Sequence, residues 1–375
     1  MTRPPPAQIG MPLDDVDTPA LIIELDAFES NMRVLMDAVS AFPVRVRPHA
    51  KTHKCPEIAR RQMALGAVGA CCQKVSEAEA LVDGGIADVL VTNQIVGLAK
   101  VERLAQLAGR ARLGVCVDHP LQVEQLAQAL AGAGPSIAID VYIELDVGQG
   151  RCGVADGDEA VMLAQQVRSH VQMRFAGLQA YHGRAQHLRE PDERQRAIAH
   201  AQRAVTDCVA ALAAAGIDCP CITGAGTGTY PLEAASGVWT ELQVGSYIFM
   251  DADYGRNRWS DTTPRFRNSL YILSTVMSVS GGRLILDAGL KAYSVDSGLP
   301  QAVDAPGWQF AKASDEHGVL TPASAAPPLP IALGSKLRLV PGHCDPTVNL
   351  HEWFVGVRND SVESVWRIAA RGAMF

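Results

Sequence analysis

The stretch Arg47-Pro48-His49-Ala50-Lys51-Thr52-His53-Lys54 sets a lysine among histidines directly after the apolar run Val44-Arg45-Val46. That places an amine at the carboxyl end of a predicted strand, where α/β barrels carry their reactive groups. A lysine held there, partly dehydrated and beside other cations, is expected to lose its proton more readily than one in water. A neutral lysine amine forms a Schiff base with an aldehyde. Taken alone, the same residues also describe a solvated basic loop, so the rest of the chain has to decide.

Other predicted strand ends carry polar residues that a barrel would bring to the same mouth. They are Cys72-Gln73-Lys74, Asp146-Val147-Gly148-Gln149-Gly150-Arg151-Cys152-Gly153, Gln179-Ala180-Tyr181-His182-Gly183, Thr223-Gly224-Ala225-Gly226-Thr227-Gly228-Thr229 and Gly245-Ser246-Tyr247. In the glycine-rich turn, small residues let backbone N–H groups approach a phosphate, and threonine hydroxyls add donors. The alternative is a tight turn with no ligand. A dinucleotide fingerprint fails because Thr229 stands where the third glycine is required. Arg151, in a loop with three glycines, suits a phenolate or phosphate oxygen; a lone arginine is otherwise a surface ion pair. Tyr181 offers an aromatic face or simple core packing. Near the carboxyl terminus, Pro341-Gly342-His343-Cys344-Asp345-Pro346 places an imidazole and a carboxylate two residues apart. On an extended segment those share a side. They would form a sparse N/O site suited to Mn²⁺ or Mg²⁺ rather than structural zinc; the alternative is a turn with a capping aspartate. Asp315-Glu316-His317-Gly318 is a second polar cluster that would help line the mouth.

The elements that must position these groups form a repeat of strand, loop and helix. Strands are predicted from near Val44, Val68, Asp88, Leu113, Ile139, Phe175, Cys219 and Leu242, with helices between them. The longest helix is predicted from about Glu190 to Ala215, and Asp26 is predicted to cap another that reaches Val39. Eight strands alternating with helices define an α/β fold, a (β/α)8 TIM-type barrel. Past Phe266 the pattern becomes β-rich, with strands predicted over Leu270–Val279, Arg283–Asp287, Lys336–Val340 and His351–Val357, a strand pair over Ser361–Ala369, and a Pro/Ala loop over Pro322–Pro330. The predicted domains are a barrel over 26–265 and a β-rich domain from 1–25 and 266–375. The chain has 375 residues, 48% hydrophobic and 19% charged, enough for a sizeable core. Its net charge of −7 argues against nucleic acid or an anionic membrane as the main partner. No apolar run is long enough to span a bilayer. Met1-Thr2-Arg3-Pro4-Pro5-Pro6 has no apolar signal core, and the nine cysteines lack a framework spacing, so a reduced cytoplasmic protein is expected.

Together the motifs resemble the fold-type III pyridoxal-phosphate enzymes, the alanine-racemase-like superfamily, and within it the D-threonine aldolase and D-serine dehydratase group. The resemblance rests on Pro-His-Ala-Lys at 48–51, Cys-Cys-Gln-Lys-Val-Ser-Glu-Ala at 71–78, Asp-x-Gly-x-Gly-Arg-Cys-Gly at 146–153 and Gly-x-Gly-Thr-Gly at 224–228. It continues through Glu-Leu-Gln-x-Gly-Ser-Tyr at 241–247, Met-Asp-Ala-Asp-Tyr-Gly at 250–255 and His-x-Asp-Pro at 343–346. It implies that Lys51 holds pyridoxal 5'-phosphate as a Schiff base, that Arg151 bonds the ring oxygen, and that Tyr181 and Gln73 line the cofactor pocket. Gln243 would face the pyridine nitrogen. Gly226, Thr227, Gly228, Gly245 and Ser246 would grip the phosphate, and His343 and Asp345 the metal. His187, or a metal-bound water, would be the base for a substrate hydroxyl. The first strand, around Ala20–Leu25, would join the carboxy-terminal sheet. Dehydratases of the group carry His-x-Cys and zinc at the metal site, so Asp345 favours an aldolase. The implied reaction cleaves a D-β-hydroxy-α-amino acid to glycine and an aldehyde in a homodimer. The segment 180–187 is D-threonine-aldolase-like and the segment 291–300 is closer to 3-hydroxy-D-aspartate aldolases, so both substrates stay open, with a dehydratase, a racemase using Tyr293 and a cofactor carrier as rivals.

Overall fold

The computed structural model describes residues 4–261, 263–325 and 328–375. Met1-Thr2-Arg3, part of the leader reading, and Ala326-Pro327, inside the predicted Pro/Ala loop, lie outside the described residues. Eight parallel strands curl into a barrel: β2 (Arg45–Val46), β3 (Ala70–Cys72), β4 (Asp88–Gln94), β5 (Arg112–Val117), β6 (Ile139–Glu144), β7 (Met173–Ala180), β8 (Ile222–Gly224) and β9 (Glu241–Leu242), paired in the order β2-β9-β8-β7-β6-β5-β4-β3. The ring closes between β2 and β3 through Val68 N–H to Val46 O (2.9 Å) and Cys71 N–H to Pro48 O (2.8 Å). The middles of the longer strands are largely apolar because both faces are covered, by the barrel interior and by the outer helices. The long helix Pro191–Ala214 follows the predicted span, with Glu190 as its N-cap.

One cap differs from the expectation. Glu24, not Asp26, caps the helix Leu25–Val39: its carboxylate accepts the N–H groups of Asp26 and Ala27. Glutamate is not a preferred cap, which is why the pattern pointed two residues further on.

The second sheet runs β13-β14-β11-β10-β1-β16-β17, with β15 pairing β10 and β12. Its strands are β1 (Ala20–Glu24), β10 (Leu270–Ser280), β11 (Arg283–Leu286), β12 (Gln301–Ala302), β13 (Trp308–Ala313), β14 (Gly318–Pro322), β15 (Lys336–Val340), β16 (Trp353–Arg358) and β17 (Ser361–Arg367). The amino-terminal strand β1 sits between β10 and β16, antiparallel to one and parallel to the other. The strand pair predicted over Ser361–Ala369 is a single strand, β17, whose partner is β16. β12, β13 and β14 were not anticipated. β13 is only partly buried: Trp308 and Phe310 pack against the core, while Gln309, Ala311 and Lys312 are exposed. No helix among the described residues is long and apolar enough to cross a membrane, and all nine cysteines are unpaired.

Candidate active site

At the carboxyl ends of the barrel strands lies a cavity of about 240 Å³. Nine of the residues singled out from the sequence line it: Lys51, Gln73, Arg151, Tyr181, Gly226, Thr227, Gln243, Gly245 and Ser246. Loops after six different strands supply them, so the barrel brings together side chains that are distant in sequence. Gly228, His187, His343 and Asp345 are not among the lining residues.

Lys51 lies on a single helical turn, Ala50–Thr52, that follows β2. Its side chain is 38% exposed, and its ammonium is ion-paired with the Asp345 carboxylate. Burial alone would lower its pKa, but Asp345 outweighs burial and holds the ammonium above the ordinary lysine range. The expectation of an easily deprotonated lysine is therefore corrected for this arrangement. The cations nearby matter less than a carboxylate from the second sheet domain, 294 residues away. Asp345 is held well below the usual carboxylate range, with Lys51 and His343 overcoming its burial. His49 is pushed below the ordinary imidazole range by burial and then by Lys51. Its Nδ1 accepts the Lys51 N–H (3.3 Å), and its Nε2 lies 3.0 Å from the Thr92 hydroxyl and 2.8 Å from the Gln73 amide.

The glycine-rich turn works differently from the expectation. A Cβ at Gly226 would lie 2.6 Å from Gln186 Oε1, and one at Gly228 would lie 2.5 Å from Gln186 O. These glycines make room for Gln186, and Gly228 is corrected as a phosphate donor because its N–H is spent on Gln186 Oε1 (2.8 Å). Ala225 adopts a left-handed backbone, φ 67°, which is uncommon for a residue with a Cβ. The Thr227 hydroxyl is fully buried at the cavity wall with no hydrogen-bond partner among the described residues. A buried orphan hydroxyl is costly, and a phosphate oxygen would satisfy it. The donor set therefore fits a phosphorylated cofactor.

Around the rest of the wall, Gly148 and Gly150 hold the Arg151 loop by donating to Asp146 Oδ1, both at 3.0 Å. Arg151 reaches Glu144 (3.6 Å) and lies over the Tyr181 ring, 6.0 Å from its centroid. Gln243 exchanges amide hydrogen bonds with Gln179, its Nε2 donating at 2.7 Å, so its polar groups are already engaged.

His343 and Asp345 do not lie on an extended segment. His343 is the extended N-cap of a short helix, Cys344–Val348, and Asp345 sits in its first turn. His343 Nδ1 meets Asp296 (2.7 Å), a carboxylate that would orient the other ring nitrogen as a ligand. Among the described residues there is no cluster of three or more His, Cys, Asp or Glu side chains able to hold a metal, so this pair stands with no third protein ligand. His187 flanks the cavity: its ring lies 5.4 Å from that of Tyr254, a lining residue, and its Nδ1 is 2.5 Å from Asp253 Oδ2. Asp315 and His317 do not line the cavity, and Glu316 pairs with exposed Lys291. No individual role was expected of Thr92, Gln179, Tyr254, Asp253 or Asp296. Gln179 stands in the 179–183 stretch, Tyr254 and Asp253 inside the 250–255 motif and Asp296 inside the 291–300 segment, whereas Thr92 gave no local signal.

A parallel barrel whose mouth holds a lysine, an arginine and a glycine turn, with a β domain reaching in over it, is the architecture of alanine-racemase-type proteins. The family model "Alanine racemase, N-terminal domain" matches residues 23–253, and a serine dehydratase domain model matches residues 269–357. The chain belongs to this fold-type III family, in the group that contains D-threonine aldolase and 3-hydroxy-D-aspartate aldolase. It is 50% identical to a D-threonine aldolase from Arthrobacter sp., over 98% of this chain and 96% of the relative. It is 44% identical to a 3-hydroxy-D-aspartate aldolase from Paracoccus denitrificans, over 98% and 95%. The crystal structure of D-threonine aldolase from Filomicrobium marinum superposes with a TM-score of 0.95 at 50% identity, covering 99% of this chain and all of that one.

Proposed function

We propose that this chain is a pyridoxal-phosphate- and divalent-metal-dependent aldolase of the D-threonine type, cleaving D-β-hydroxy-α-amino acids to glycine and an aldehyde. The observation that carries the reading is the ion pair between Lys51, a barrel residue that lines the cavity, and Asp345, which comes from the β domain. Lys51 would hold the cofactor through its amine. Thr227, Gly226, Gly245 and Ser246 would bind its phosphate, and Arg151, Tyr181, Gln73 and Gln243 would position the ring. When bound, pyridoxal 5'-phosphate supplies a sink for the electron pair left on Cα. His343 and Asp345 would hold Mn²⁺ or Mg²⁺, which supplies Lewis acidity toward the substrate hydroxyl. His187 would take the proton of that hydroxyl. The oxygen then becomes the aldehyde carbonyl, the Cα–Cβ bond breaks, and Cα gains a proton to yield glycine.

The likeness to 3-hydroxy-D-aspartate aldolase supports a second substrate with a β-carboxylate. A racemase is disfavoured because Tyr293, the candidate base, is fully buried with its hydroxyl donated to Ala288 O (3.2 Å). We place the enzyme in the cytoplasm on its unpaired cysteines and read it as a homodimer with small-molecule substrates only, neither nucleic acid nor membrane being a partner. The test is glycine release from D-threonine, L-threonine, 3-hydroxy-D-aspartate and D-serine with Mn²⁺, Mg²⁺ or chelator. Glycine from D-threonine, lost on chelation, is expected. Formation of an oxo acid and ammonia instead would make the chain a dehydratase.

A further inference from the structure

The segment Asp251–Tyr254 touches both halves of the proposed site. On the β-domain side, Asp251 Oδ2 accepts the Cys344 N–H (2.9 Å), Ala252 N–H donates to Pro341 O (3.0 Å), and Asp253 N–H donates to Gly342 O (3.2 Å). On the barrel side, Asp253 Oδ2 meets His187 Nδ1, while Asp253 Oδ1 receives Arg189 (2.5 Å) and Arg256. The Asp253 side chain is 7% exposed, against 46% for His187. A buried carboxylate thus faces an imidazole that is open on its other side.

We propose that Asp253 is a positioning residue: it fixes the His187 tautomer with the proton on Nδ1 and Nε2 bare, and ties that imidazole to the segment carrying His343 and Asp345. The inference rests on the aldolase reading only for what His187 does with its proton; the tautomer itself does not depend on it. The physical logic is that of any acid–imidazole pair. A carboxylate can only accept, so the nitrogen facing it must be N–H, and the remote nitrogen is left to act as base. Arg189 and Arg256, with His187, overcome burial and hold the Asp253 carboxyl down at about 2, so it stays an acceptor throughout the working pH range. Tyr254, its ring centroid 5.4 Å from that of His187, limits the rotation of the imidazole. The charged groups facing the pair are therefore Arg189 and Arg256.

Two readouts test this. The first is ¹⁵N-histidine NMR of the wild-type holoenzyme, with the His187 signals assigned by loss in His187→Gln. The Nδ1–H tautomer is expected at neutral pH, and an Nε2–H tautomer would overturn the proposal. The second is Asp253→Asn in the Mn²⁺-loaded holoenzyme. General-base catalysis is worth about 10²-fold or more. A kcat loss of that order is expected, with KM and the bound-cofactor absorbance held and partial recovery in Asp253→Glu. A kcat within about threefold of wild type would refute the positioning role. If the wild type makes no glycine from any D-β-hydroxy amino acid, the aldolase reading fails, and the tautomer alone still decides this inference.

Discussion

The two ends of the barrel are both rich in charged and polar residues, and they treat them in opposite ways. At the floor, where the strands begin, every charge meets an opposite one. Arg47 bonds Glu241 (3.0 Å) and Asp88 (2.6 Å), and Asp140 is shared by Arg112 (2.8 Å) and Arg174 (2.7 Å). Thr223 also donates to Glu241 Oε1 (3.0 Å), and the Arg45 guanidinium lies 3.3 Å from Glu241 Oε2. Above them Cys71, Leu90, Cys116, Tyr142 and Cys221 fill the barrel. At the mouth, by contrast, a buried hydroxyl on Thr227 goes without a partner, Ala225 is held at a positive φ, and Lys51 is balanced only by a carboxylate from another domain. A closed charge network is structural. Polar groups left open beside a cavity, at a cost in stability, are what a ligand would repay.

The largest expected effect comes at the mouth. Lys51→Ala should abolish turnover and remove the visible absorbance of protein-bound cofactor while leaving the thermal midpoint nearly unchanged. Retained absorbance without added amine would assign the cofactor to another lysine. At the floor the expected pattern reverses. Arg47→Met removes the buried cation shared by Asp88 and Glu241, leaving them only the more exposed Arg112 and Arg45, and removing one partner of a buried pair costs about 3–5 kcal/mol. The urea midpoint should drop, with kcat per folded enzyme unchanged; a specific loss of kcat would blur the division between the two ends.

Glu233 lies behind the glycine turn, bonded by the Thr229 hydroxyl (2.7 Å), and burial pushes its carboxyl up to about 7. The folded chain therefore keeps a proton that the unfolded chain releases above its ordinary pKa. That contribution, up to about 3 kcal/mol, is complete below the unfolded pKa and is lost as pH rises through about 7. Glu233→Gln should flatten the fall in stability between pH 5 and 8 in denaturant titrations; an unchanged slope would show that Glu233 is not its source. The smallest effect is expected from Thr227→Val. Bonds to charged groups are worth about 1.5–3 kcal/mol, so pyridoxal-phosphate affinity should weaken about 10- to 100-fold. Stability without cofactor should hold or rise, because an orphan hydroxyl is gone. Unchanged affinity would remove Thr227 from the phosphate site.

The same contrast bears on how far the sequence could be read. The barrel was legible because its strands are continuous apolar runs separated by helices of regular period. The lining residues were legible because they follow strand ends. What escaped were partnerships across long separations. Nothing local to Lys51 announces Asp345, and nothing near His187 announces Asp253, since each pair depends on how two domains or two loops dock. The glycine turn has a partner that its sequence did not announce: Gly226 and Gly228 also make room for Gln186. The partly buried strand β13 and the Glu24 cap escaped because tertiary contacts override local preference there.

The central claim is that the mouth engages its cofactor through the amine of residue 51. Borohydride reduction of the holoenzyme followed by peptide mass mapping tests it directly. A pyridoxyl-phosphate adduct on Lys51 is expected; an adduct on Lys54 or Lys74 with Lys51 unmodified would contradict the claim.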